Sequence, residues 1–215
     1  MLVLAYQFMA ECPSTFLKEV MDLFSLTALE ICEGQQMDME FEQRNDVTAE
    51  EYLEMIRLKT AVLLAASLKI GARLGGTSVE DADRLYDFGM HIGVAFQLKD
   101  DLLDVYGNAK VFGKNIGGDI LCNKKTYMLI KALEHANADQ HNQLNSWINA
   151  ETFQPAEKIA AVTELYDRIG VKAVCENKIL EYSNRAMESL AAVSIAEEKK
   201  EELKKIIENL IHREV

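Results

Sequence analysis

The chain has 215 residues, 49% hydrophobic and 27% charged, a composition that suits a single well-packed soluble domain. A formal net charge of -12, with no Lys/Arg cluster interleaved with aromatics, excludes nucleic acid as an expected partner, because such a surface repels phosphate backbones. Two prolines and 7% aromatics, set against many Ala, Leu, Glu, Lys and Met, favour helix over strand throughout and make the expected fold class all-α.

In chain order, Met1 to Ala10 is apolar but lacks a basic leader and is too short to span a bilayer, so it reads as core rather than as a signal peptide or membrane helix. It enters a helical pattern at Leu2 without a capping residue, so Met1 is not expected to be the native start. Pro13 and Ser14 begin a second helix that Gly34 would close after Cys32, followed by a polar, acidic connection to Asp46. Thr48 and Glu51 form a capping box, and Tyr52, Met55, Ile56, Lys59, Leu63 and Leu64 recur at helical spacing up to Gly71. Ser78 and Asp81 cap the next long helix, whose apolar positions Leu85, Phe88, Ile92, Ala95 and Phe96 lead into a run of aspartates.

From Gly107 to Asn123 the glycines predict loop, and helices resume near Lys124. A polar connection is expected from about Asp139 to Pro155. The last helix places Leu203, Ile206, Ile207 and Leu210 on one stripe. Nothing marks a second domain, so residues 1–215 are read as one. Cys12, Cys32, Cys122 and Cys175 lack a CxxC pair and nearby His, which predicts four free thiols in a reducing compartment.

The chemistry concentrates in the aspartate run. At about 100° per helical residue, Asp104 lies near 40° from Asp100, Gln97 near 60° and Asp101 near 100°. Three carboxylates in one arc repel each other unless a cation lies between them. Carboxylate oxygens suit Mg²⁺, which keeps waters and shares its coordination with substrate phosphates, so the pattern reads as a diphosphate site. The bland reading of a DDxxD in an acidic protein is a solvated face; the apolar neighbours Phe88, Ile92, Phe96, Leu102, Leu103 and Val105 bury much of this helix and weigh against it.

The run FQLKDDLLDVYG from Phe96 to Gly107, then Gly113-Lys114, the GGDI of Gly117 to Ile120 and the NKKT of Asn123 to Thr126, resembles the second aspartate-rich region of the polyprenyl synthetase family, the trans-isoprenyl diphosphate synthases. Gly34-Gln35-Gln36-Met37-Asp38 and the helix carrying Tyr52 and Lys59-Thr60-Ala61 resemble two further blocks of that family. The likeness covers residues 1 to about 130, the rest being compatible helices.

The resemblance implies an isoprenoid-synthase-type helical bundle and a prenyltransferase that condenses isopentenyl diphosphate with an allylic diphosphate to extend an all-trans chain. It implies Mg²⁺ held by Asp100, Asp101 and Asp104, with Asp100 the foremost direct ligand, and diphosphate contacts from Lys59, Lys114 and Lys124. Lys59, Thr60 and Gln97 would line the place where the allylic cation develops, offering a backbone carbonyl, a hydroxyl and an amide oxygen. Without the family, Lys59 reads equally as a lysine snorkelling from an apolar helix, and Thr60 and Gln97 as ordinary polar residues. Asp38 ranks below these as a partner in a polar network, Asp119 as a supporting group, and His91 as a packed or surface histidine. A homodimer in the cytoplasm is also implied.

The departure from the family pattern is that one aspartate-rich motif occurs here where the family has two. The chain is therefore expected to lack the N-terminal helices of the bundle and to be inactive in condensation as it stands. Two other functions fit less well: a non-catalytic regulatory subunit of a heteromeric prenyl synthase, which need not retain Lys59, Gln97 and all three aspartates, and a class I terpene cyclase, whose partner motif has no counterpart after Asp104. A helical interaction protein without chemistry would bind no Mg²⁺-dependent pyrophosphate.

Overall fold

The computed structural model describes residues 2–107 and 116–211, and within them the secondary structure is helical with no strand. Helix α1 (Leu2–Ala10) lies against α2 (Leu17–Phe41). A long rod follows, made of α3 (Ala49–Ile56), a π-helical turn (Arg57–Ala61) and α4 (Val62–Leu74). Helix α5 (Val79–Tyr106) packs along this rod on one side and along α10 on the other. The remainder comprises α6 (Gly118–Leu121), α7 (Tyr127–His135), α8 (Ala138–Ile148), α9 (Pro155–Ile169), α10 (Val171–Ala191), a short 3₁₀ turn (Glu197–Lys199) and α11 (Glu201–Ile211). No described helix is long and apolar enough to cross a membrane.

Helix α5 is central because it carries both shape and apolar content. Phe88, Ile92, Leu98, Leu102 and Leu103 are buried, each contributing roughly 1.5–3 kcal/mol of transfer free energy. Gly89 and Gly93 face Ala65 and Ala61 of the rod so closely that a Cβ on Gly93 would lie 2.5 Å from the Ala61 Cα. Small residues four apart on both helices let the backbones meet, which brings the Lys59–Thr60 turn against Gln97.

The caps follow the sequence. Thr48 and Glu51 form a reciprocal capping box and Ser78 accepts from the Asp81 amide, both as expected; Thr126, not singled out as a cap from the sequence, caps α7. All four cysteines are free.

Other expectations are corrected. Helix α2 does not close at Gly34 but runs on to Phe41; Gly34 is instead a crossing point, where a Cβ would fall 2.5 Å from the Lys59 amide nitrogen. Pro13 and Ser14 precede α2 in a turn, the helix starting at Leu17. The rod continues past Gly71 to Leu74. The polar stretch expected as connection from about Asp139 contains helix α8, which the Asn137–Gln140 capping box starts; only Leu144 is buried on it, so its apolar signal is weak. Helix α6 interrupts the expected loop. The stretch expected as core at the start of the chain is not core over its described residues, Leu2 to Ala10: Val3 is 73% and Phe8 66% exposed, because α1 lies on α2 at the edge, held by Tyr6 stacked edge-on against Phe24.

Candidate diphosphate and metal site

The rod is regular except at Arg57–Ala61, where the turn widens to π-helical bonding with the Val62 amide donating to the Arg57 carbonyl. Such single wide turns recur at functional sites. Lys59 and Thr60 stand on it. The Lys59 Nζ donates to Asp38 Oδ2 of α2 at 2.6 Å, half-buried on both sides, as the polar-network role of Asp38 requires. The Thr60 hydroxyl donates to Gln97 Oε1 at 3.1 Å, and Gln97 Nε2 donates to Asp101 Oδ1 at 3.1 Å.

That relay ends in a buried carboxylate. Asp101 is 3% exposed and accepts a short hydrogen bond from the Tyr52 hydroxyl through its other oxygen. Burial pushes its pKa up to about 7, against the opposing pull of the Tyr52 hydrogen bond and the Lys124 charge. The Tyr52 phenol is itself fully buried and held well above its ordinary range by burial and by the Asp101 charge. In the sequence, Tyr52 lies on an apolar helix stripe and in one of the family-like blocks, with no role given to its hydroxyl. Its signal was a hydroxyl on the residue seven before Lys59, a face it shares with that residue every second helical turn.

The three aspartates therefore divide. Asp100 is partly exposed and forms no hydrogen bond or ion pair among the described residues. Asp104 uses Oδ2 to accept from the Asp119 amide at 3.0 Å, and its backbone carbonyl accepts from the Gly117 amide, which ties α6 to the end of α5. Asp101 is committed to the core. Asp119 is raised by burial and by the Asp104 and Asp100 charges, with Lys124 opposing them from 3.6 Å. For Lys124, burial works to lower the pKa, but Asp119, Asp101 and Asp38 outweigh it and hold the ammonium above its ordinary value. Lys124 is thus a cation facing three carboxylates. His91 is a packed histidine, beside Ser189 and the Tyr182 ring. Lys114 lies outside the described residues.

Among the described residues no group of three or more His, Cys, Asp or Glu side chains is gathered tightly enough to cage a metal ion. The donor set nonetheless fits Mg²⁺: a carboxylate at Asp100 without a hydrogen bond or ion pair among the described residues, a second at Asp104, and adjacent cations able to hold an anionic ligand that would complete the coordination.

A small cleft lined by Asp38, Tyr52, Lys59, Gln97 and Lys124 lies between these elements. Lys59 and Thr60 also border an apolar groove of about 710 Å³, walled by Leu63, Leu64 and Ser67 of α4, Ile92 and Phe96 of α5, and Leu203 and Ile206 of α11. Charge at one end and hydrocarbon along the other is the recognition pattern of an amphiphilic ligand with an anionic head.

Comparison with known proteins agrees with this geometry. The chain is 37% identical over 201 residues to a short chain isoprenyl diphosphate synthase of Methanothermobacter thermautotrophicus, covering 94% of this chain and 61% of that protein. It superimposes on the crystal structure of a geranylgeranyl pyrophosphate synthase with TM-score 0.93 at 37% identity, covering 99% of this chain and 66% of that one. A second structure, the geranylgeranyl pyrophosphate synthase of Corynebacterium glutamicum complexed with isoprenyl diphosphate and magnesium, matches at TM-score 0.85 and 29% identity, over 94% of this chain and 57% of the other. The chain thus spans about three-fifths of the length of such relatives. Residues 1–166 match the polyprenyl synthetase family, and these likenesses across nearly the whole chain agree with it: the chain belongs to the polyprenyl synthetase family.

Proposed function

We propose that the chain serves a trans-prenyltransferase reaction, in which an allylic diphosphate is ionised and joined to isopentenyl diphosphate. The observation that carries this reading is the junction of two environments at Lys59 and Thr60. Carboxylates and Lys124 lie on one side of that junction, and the 710 Å³ apolar groove lies on the other.

Each residue then has a task set by its surroundings. Lys124, kept cationic by three carboxylates, and Lys59, held at the cleft by Asp38, bind the diphosphate and stabilise the charge it gains as the C–O bond breaks. Thr60 donates its proton to Gln97, which leaves the hydroxyl lone pairs available to an electron-deficient carbon. Gln97 is itself pinned by Asp101, and Asp101 by Tyr52, so the polar groups beside the cation are fixed before substrate arrives. Leu63, Leu64, Ile92 and Phe96 shield the hydrocarbon and exclude water, which would otherwise quench the cation. Asp100 and Asp104 would hold Mg²⁺, which when bound neutralises charge on the departing diphosphate. Asp101 contributes charge and hydrogen bonding from beneath rather than a direct ligand bond. The homodimer and the cytoplasmic location belong to the same reading.

Titration calorimetry tests it. Pyrophosphate should bind the chain in the presence of Mg²⁺ and not in its absence, and Asp100→Ala should remove the Mg²⁺-dependent part. Binding that is indifferent to Mg²⁺ and to Asp100 would sink the proposal.

A further inference from the structure

Lys158 is the least expected charge in the molecule. It is 1% exposed and sits in the first turn of α9, where a cation opposes the helix dipole. Among the described residues it has no carboxylate partner. Its Nζ donates to Asn123 Oδ1 at 2.8 Å and lies 4.2 Å from the centre of the Phe153 ring. A buried ammonium satisfied by an amide oxygen and a ring face is costly to keep, and burial lowers its pKa.

What Lys158 holds is as unusual as Lys158 itself. Asn123 has φ of +52°, the one non-glycine residue with positive φ among those described. Asn tolerates that conformation better than most residues, but at a cost that neighbouring bonds must offset. Here its side chain is fastened at both ends: Nδ2 donates to the Ile148 carbonyl at the end of α8, and Oδ1 accepts from Lys158 at the start of α9. The next residue is Lys124, whose amide returns to the Asp119 carbonyl at 2.9 Å. The reversal at Asn123 therefore sets the direction in which Lys124 leaves α6 and meets Asp119. Asp119, Asn123, Lys124 and Lys158 also line one small cavity of about 20 Å³, room for a single water.

We infer that Lys158 is a positioning residue for the diphosphate site, acting through Asn123 to hold Lys124 toward the carboxylates and the cleft. The inference rests on the functional reading above, because Lys124 is the group through which it would be felt. It assigns a functional consequence to a side chain on α9 that touches neither the aspartates nor the apolar groove.

A double-mutant cycle tests it with Mg²⁺-pyrophosphate as the probe, read by calorimetry, with the denaturant midpoint measured for every variant. Lys124→Ala should weaken binding about tenfold, the scale of one charge-assisted hydrogen bond. Lys158→Met, which keeps the length and apolar stem, should weaken it by a comparable factor. Combining the two should add little, because the second change removes a support for a group already gone. Should Lys158→Met fail to fold, Asn123→Gly keeps the positive φ while cutting the link, and it should show the same non-additivity with Lys124→Ala. A folded Lys158→Met variant that binds like the unaltered chain, or losses that simply add, would overturn the positioning role alone. An unaltered chain that shows no Mg²⁺-dependent binding overturns the functional reading and this inference together.

Discussion

The two halves of α5 are built on different principles. From Phe88 to Gly93 the helix is fixed by shape: glycines against alanines, with Phe88 and Ile92 filling the space beside them. From Gln97 to Asp104 it is fixed by hydrogen bonds, with Thr60, Gln97, Asp101 and Tyr52 in one relay and Asp104 bonded to the start of α6. The first half sets how close the rod comes, and the second uses that closeness. A polar relay between two helices needs its donors and acceptors at about 3 Å, which is achieved only because the backbones meet one to two turns earlier. Asp100, outside both arrangements, is left available for a ligand.

That contrast can be broken from the packed side first. Gly93→Leu would drive a side chain into the Ala61 backbone and should cost roughly 3 kcal/mol or more, read as a fall in the denaturant midpoint together with loss of pyrophosphate binding. An unchanged midpoint would show that the close approach is not what holds the rod. On the hydrogen-bonded side, Tyr52→Phe removes one of the two donors to buried Asp101 and should cost about 1–3 kcal/mol. It should also loosen Gln97, so weaker binding is expected even where the variant stays folded.

Asp100→Ala sharpens the comparison in the opposite sense. Mg²⁺-dependent pyrophosphate affinity should fall at least about tenfold, while unfolding free energy changes by less than about 0.5 kcal/mol, because the carboxylate is tied to no described group. The smallest effect is expected at the start of α5. There Asp81 accepts from the Ser194 amide and from Arg84, and these bonds hold its carboxyl below the ordinary range against the opposing effect of burial. A carboxylate with a lowered folded-state pKa stabilises above the unfolded pKa and loses that contribution as pH falls through the folded one. Asp81→Asn should therefore lower the thermal midpoint modestly near neutrality, where the carboxylate's contribution is present, and the gap from the unaltered chain should close as pH falls below about 4.

Much of this was legible beforehand, for local reasons. Capping boxes at Thr48 and the cap at Ser78 are encoded within four residues, and the helical stripes recur within eighteen, so element type and several boundaries follow from neighbours in the chain. The family resemblance likewise lies in short blocks. What failed was whatever depended on distant contacts. Gly34 has the chemistry of a helix end and serves as a crossing point, because Lys59 of another helix requires the space. Helix α8 buries little and gave no stripe.

The sequence by itself determined the all-α class, the caps, the free cysteines and the aspartate cluster, since each is written in composition or in spacing along one helix. Only the tertiary structure decided how the aspartates divide. A helical wheel places Asp100, Asp101 and Asp104 on one arc but carries no information about which part of that arc faces Tyr52, which faces α6 and which faces solvent. The π-turn under Lys59 and the buried Lys158 behind Asn123 belong to the same class of fact. Each is a local departure from what residues prefer, kept in place by partners 21 to 37 residues away in the chain, and burial against those partners is what makes the departure stable.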